Sequence, residues 1–182
     1  MVPRGIKKIA LVLALGFQVA LSGCGFYNYK AVLPDNIRKI YIPVFVNHSP
    51  QYNIEGLLTD MVIREFASEG KLVEGGYLTV VPTKEQADAE LDGEIVQYML
   101  EPAVVDDRGS VQEYRMRILL NLNFKDVHEN KSIWAEQNKE SKEKIFWKAH
   151  PAQGLPQTEQ EAQLLAFKSL AKDMVSRTIW GW

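Results

Sequence analysis

From Tyr114 to Lys125 the chain alternates with a period of two, and that period admits a β-strand and little else. Tyr114, Met116, Ile118, Leu120, Leu122 and Phe124 interleave with Arg115, Arg117, Leu119, Asn121, Asn123 and Lys125. Successive side chains of a strand point to opposite faces, so one face is apolar and the other largely polar. A sheet with one face near water is the natural home of such a strand, and an antiparallel ribbon tolerates that exposure. The apolar face then requires a covering layer.

Two helical patterns supply it. Ile54, Leu57, Leu58, Met61, Val62 and Phe66 recur at helical spacing, with Asn53 as a cap and Gly70 as a stop. Near the C-terminus Thr158-Glu159-Gln160-Glu161 is a capping box, in which the Thr158 hydroxyl accepts from the Glu161 amide while the Glu161 side chain reaches back. Leu164, Phe167, Ala171, Met174, Val175 and Thr178 form the stripe behind it, widened by Leu165 and Leu170.

The remaining strands are shorter. Arg38 to Val46 is a dense β-branched and aromatic run that reads as a buried strand, with Pro43 marking an edge or unpaired position. Leu78 to Val81 is a short strand and Leu91 to Leu100 a longer one. Pro102 to Gly109 is a turn whose tip is Asp107-Arg108-Gly109. Val127 to Lys131 turns the chain again, and Ser132 to about Lys139 returns. Lys148 to Gln157, with three breakers, is the least structured stretch. The order is β-α-β-β-β-β-α. The expected fold is α+β: a mixed, mainly antiparallel β-sheet with two helices packed on one face.

The first residues have a different purpose. Arg4, Lys7 and Lys8 precede an apolar run from Ile9 to Leu21, and Leu21-Ser22-Gly23-Cys24 closes it. A positive start, a short apolar core and small residues before a cleavage point describe a secretory signal. The apolar run falls short of the roughly 20 residues of a membrane-spanning helix. Residues 1–23 are thus expected to be a cleaved signal peptide, 24–36 a lipid-anchored tether and 37–182 one domain. Leu-Ser-Gly-Cys resembles a lipoprotein lipobox at every position, which implies an acylated Cys24. Each buried methylene contributes about 0.8 kcal/mol, so several acyl chains anchor durably where one does not.

Cleavage leaves 159 residues, with eighteen basic against twenty-three acidic and a net charge of −5. A mildly acidic domain is a poor general binder of nucleic acid. Cys24 is the only cysteine, so the domain has no disulfide and must be held by its core. No cysteine-based metal site is possible, and His48, His128 and His150 are scattered over loops and ends. No Gly-x-Ser-x-Gly elbow, phosphate-cradling loop or His-Glu-x-x-His pair occurs. Asp106 and Asp107 are adjacent in a tight turn, where such residues ordinarily serve the turn. No catalytic residue, metal or cofactor is expected.

Several segments, taken in order behind the lipobox, resemble the LptE family of outer-membrane lipopolysaccharide-assembly lipoproteins. They are Gly23-Cys24-Gly25-Phe26; Ile40-Tyr41-Ile42-Pro43-Val44-Phe45-Val46-Asn47; Glu55-Gly56-Leu57-Leu58-Thr59-Asp60; Ala87-Asp88-Ala89-Glu90-Leu91-Asp92-Gly93-Glu94-Ile95; Gly109-Ser110-Val111-Gln112-Glu113-Tyr114-Arg115; and Ile133-Trp134. The resemblance implies a non-enzymatic lipoprotein on the periplasmic side of the outer membrane. It implies an LptD-like β-barrel as partner, which the domain plugs and helps to assemble, and contact with lipopolysaccharide on its way to the outer leaflet. Gly25 after the cysteine, rather than Asp, agrees with the outer membrane in the enterobacterial pattern.

Four residues become site candidates. Arg108 projects from the hairpin tip, where a guanidinium either grips a phosphate bidentately or is merely solvated. The family's basic tip residue, aligned on Gly109, falls on Asp107, one position away. Lys148 lies in the loop before the last helix, another region where the family places a basic contact. Arg115 and Arg117, on the polar face of the long strand, either face a polar barrel lumen or form cross-strand charge pairs. A different periplasm-facing binding module for cell-wall or secretion machinery is the rival function.

Overall fold

The computed structural model describes residues 33–34, 36–69, 78–141, 145–148 (backbone only) and 158–181. Its elements are β1 Lys39–Tyr41, β2 Val46–Asn47, α1 Ile54–Glu69, β3 Thr79–Val81, a short 3-10 turn Lys84–Gln86, β4 Ala89–Val105, β5 Val111–Asp126, β6 Lys131–Glu140, β7 Ile145–Lys148 and α2 Glu159–Trp180. The fold is α+β, with two helices and one mixed sheet. Cys24, Gly70, the Pro151–Pro156 stretch and the Lys148 side chain lie outside the described residues.

The sheet is ordered β3-β1-β4-β5-β6, with β2 also on β4 and β7 also on β5. β4 and β5 form a long antiparallel hairpin from Ala89↔Asp126 to Val105↔Val111. β6 pairs with the C-terminal half of β5 and β7 with its N-terminal end, both antiparallel. β1 runs parallel to β3 and β4, and β2 runs parallel to β4.

The alternation of β5 is reproduced residue by residue. Met116, Ile118, Leu120, Leu122 and Phe124 are buried while the residues between them are not. Their face joins Ile40, Leu91 and Ile95, then Leu58, Val62 and Phe66 of α1, then Phe167, Leu170 and Met174 of α2, in one core. Burying one such side chain contributes about 1.5–3 kcal/mol, which makes this face the main source of stability.

The helix signals hold at α2. The Thr158 hydroxyl accepts from the Glu161 amide at 3.1 Å, and Gly181, at φ 80°, turns the C-terminus left-handed with its N–H on Ser176 and Arg177. The buried stripe is rotated from the expected one. Ala162 and Ala166 face inward and Leu164 and Leu165 outward, because two alanines let the helix sit close where leucines would hold it off. Ion pairs fasten α2 to β6, Arg177 to Glu136 at 3.6 Å and Lys139 to Asp173 at 3.9 Å. Asn53 is not an N-cap in geometry, since its φ of 61° is left-handed and a cap residue is extended.

Three strand expectations are corrected. The run Arg38–Val46 splits into β1 and β2, and Val44 and Val46 are exposed rather than buried. Pro43 interrupts the ladder, and the Phe45 amide is taken by the Thr59 hydroxyl at 3.0 Å, which itself donates to Glu55 O at 2.7 Å. Phe45 turns inward over Gly93, where an added Cβ would stand 2.7 Å from its ring. Second, β4 continues through Pro102 to Val105. Beyond Ile95 the outer edge of β4 has no strand partner among the described residues, so a missing N–H costs nothing there. Third, Lys148 belongs by its backbone to β7, paired with Glu113, and not to a loop.

Candidate functional site

The β4–β5 tip is built around Asp106. Its Oδ1 accepts from the amides of Arg108 at 2.9 Å and Ser110 at 2.8 Å, and its Oδ2 accepts from Gln112 Nε2 at 2.9 Å. The Gly109 amide closes the turn on Asp106 O at 3.0 Å, and Gly109 takes the positive φ of 80° that a side chain resists. Donation from the Ser110 amide, with help from Arg108 and Gln112, holds the Asp106 carboxyl below its ordinary value. Asp106 thus serves the turn, as its position suggests. Arg108 is exposed, and among the described residues its guanidinium has no partner.

The sheet face away from the helices is polar and largely self-paired. Arg117 spans three strands: its Nε and Nη2 donate to Glu140 of β6 at 2.8 and 3.3 Å, and its Nη1 to Glu101 of β4 at 3.1 Å. The Glu140 carboxylate and then Glu101 raise its proton affinity. Arg115, register partner of Glu101, is half-buried on the same face. Arg117 therefore has partners on two neighbouring strands of its own sheet. Toward the other end Lys125 meets Asp92 at 2.6 Å and Glu90 at 3.0 Å, and Lys84 meets Glu90 at 2.8 Å. Between the two clusters Asn121 Nδ2 donates to Glu94 at 3.1 Å and Ser132 Oγ donates to Asn123 at 2.7 Å.

The candidates are not brought together. Arg108 is at the hairpin tip, Arg115 and Arg117 are further down β5, and Lys148 pairs with Glu113 between them by backbone. His48 and His128 are exposed, the latter with Nε2 at 3.6 Å from Asp88, and His150 lies outside the described residues. Among the described residues no three His, Cys, Asp or Glu side chains are grouped as metal ligands, and no helix is long and apolar enough to cross a membrane. Sequence reasoning missed Glu94 and the exposed Val44 and Val46 beside it. The spacing of two between the valines was the available signal.

One sheet face closed by helices and one left open and polar define a two-layer domain of the α+β class. The lipopolysaccharide-assembly family LptE matches residues 37–178, from before β1 to near the end of α2, and the chain belongs to that family. The family is one of non-enzymatic lipopolysaccharide-assembly lipoproteins. A comparison with curated proteins gives no match. Among solved structures, the PelC dodecamer from Paraburkholderia phytofirmans is similar at TM-score 0.52 and 11% identity, over 83% of this chain and 95% of that one. The hypothetical protein CT253 from Chlamydia trachomatis is similar at TM-score 0.50 and 11% identity, over 76% and 94%. Uncharacterized lipoprotein B from Nitrosomonas europaea has a TM-score of 0.47 and 19% identity, over 86% and 94%. At such identities the likeness to the first two is one of fold.

Proposed function

We infer that the mature chain begins at Cys24, is acylated there, and is held on the periplasmic side of the outer membrane. Residues 24–36 tether the domain of 37–182, which fills an LptD-like β-barrel, helps it to assemble and contacts lipopolysaccharide in transit. The observation that carries this reading is the family match across residues 37–178. The exposed Arg108 guanidinium at the hairpin tip, without a partner among the described residues, supports phosphate contact, since a planar fork matches phosphate oxygens. Lys148 is a second basic contact in this reading. Arg117 acts toward a barrel wall through the charged cluster it organises, with Arg115 beside it.

Conditional depletion tests the role. Loss of the chain should reduce surface lipopolysaccharide and leave the barrel immature. Affinity purification from detergent-solubilised membranes should recover a large β-barrel protein, and recovery of peptidoglycan synthases or secretion components instead would sink the reading. Cys24→Ala should release the protein into the soluble fraction after osmotic shock.

A further inference from the structure

The open sheet face is not flat. Between the β1–β2 segment and β6 it forms a groove of about 910 Å³ whose floor is β4 and β5. Tyr41, Pro43, Val44 and Val46 make one wall. Val44 is 65% and Val46 51% exposed, while Phe45 between them is buried, so the two valines share the groove side. Val46 is also the register partner of Glu94.

Glu94 differs from its neighbours in charge balance. Glu90 and Asp92 are matched by Lys84 and Lys125 at 2.6–3.0 Å. Glu94 is exposed, and among the described residues its partner is the Asn121 amide at 3.1 Å and no cation is paired with it. Two aliphatic side chains thus stand against an uncompensated carboxylate. An anionic ligand is disfavoured in the groove, because its lining carries the carboxylates of Glu90, Asp92, Glu94 and Glu136 against the one ammonium of Lys84. A polypeptide segment carrying a Lys or Arg next to an aliphatic residue matches both features at once. Its aliphatic part would cover the valines and its cation would meet Glu94, the apolar centre and polar rim of an ordinary interface.

We propose that this groove is the seat of a basic segment of the partner barrel, and that Glu94 with Val44 and Val46 recognises it. The proposal rests on the barrel-partner reading above. It separates two contacts on one domain, a polypeptide in the groove and phosphate at the hairpin tip.

The test uses the full-length lipoprotein in cells. A photo-crosslinking amino acid replaces Val44 in one variant and Leu164, exposed on α2, in another. The crosslinked product at Val44 should be the barrel, identified by mass spectrometry, and Glu94→Lys in the same chain should lower its yield more than it lowers any yield at Leu164. In parallel, Glu94→Lys should lower recovery of the barrel by about tenfold or more, since it sets like charges together, and Glu94→Gln should lower it less. Glu94 is solvent-exposed, and an unchanged unfolding midpoint confirms that the variants fold. Crosslinking at Leu164 but not Val44, crosslinking of Val44 to lipopolysaccharide, or barrel recovery untouched by Glu94→Lys each overturns the groove while leaving the barrel reading intact. A wild-type chain that recovers no barrel removes that reading and the groove's occupant with it.

Discussion

The two faces of β5 share one backbone and are held by different physics. On the covered face Met116, Ile118, Leu120, Leu122 and Phe124 are each at most 3% exposed. On the open face Arg117, Asn121, Asn123 and Lys125 remain half-exposed, and each is bonded to a side chain on a neighbouring strand. Burial of apolar area stabilises without regard to direction, whereas ion pairs at half-exposed positions are offset by desolvation, side-chain entropy and screening. The covered face therefore holds the fold, and the open face is free to be specific.

The comparison breaks first at Phe124, which is fully buried with its ring 5.8 Å from that of Trp134. Phe124→Ala should cost about 3–5 kcal/mol, a large part of a stability of about 5–15 kcal/mol. Urea unfolding would show it as a lower midpoint at unchanged slope. A loss no larger than that of an exposed-face variant would contradict the division of labour. Gly93→Ala comes next. A methyl group there meets the buried Phe45 ring at 2.7 Å, and overpacking of this kind costs about 1–3 kcal/mol. Gly93→Ala combined with Phe45→Leu should recover part of that loss, because the smaller side chain vacates the space.

Acid sharpens the comparison on the open side. Burial pushes the Glu90 carboxyl up, but bonding to the ammonium groups of Lys84 and then Lys125 outweighs this and holds it below its ordinary 4.5. A carboxyl depressed in the folded state lends stability that is complete above its unfolded value. That contribution is lost as pH falls below about 4.5 and through the folded value. Asp126, held below 3.8 chiefly by the Glu129 amide, adds to the same acid limb. Glu90→Gln should flatten the fall of stability across this window and leave the neutral-pH profile level. An equal acid slope in both proteins would show that Glu90 has no part in it.

Legibility in the residues follows the distance over which each feature is built. The alternation of β5 and the Thr158 cap are local, so they can be read directly from the chain. The hairpin tip is local too, and Asp106 bonds within six residues of itself. Arg117 is another matter. Its partners lie 16 and 23 residues away, and strand register alone brings them within reach. The exposure of Val44 and Val46 likewise depends on Thr59 and Gly93, which pin Phe45 inward from two other elements. A dense apolar run reads as core when those anchors are unknown. The groove needs four separate segments and has no motif at all. β7 is short, and only its last residue, Lys148, falls in the stretch that reads as a loop; pairing with Glu113 of β5 draws it into the sheet.

Arg117→Met should have the smallest effect on the isolated domain, although Arg117 makes three side-chain hydrogen bonds across the open face. Its side chain is a third exposed, and the side chains of Glu101 and Glu140 are 37% and 43% exposed, so water can replace the lost partner at both carboxylates. The methionine keeps the aliphatic stem over the sheet. The urea midpoint should stay within error of wild type, and raising the salt to 1 M should narrow any remaining gap by screening. Recovery of the barrel is the readout that separates a contact from a brace. A variant that folds as firmly as wild type yet recovers less barrel assigns Arg117 to the interface. A variant that loses midpoint as heavily as Phe124→Ala would mean that the charged face holds the fold after all.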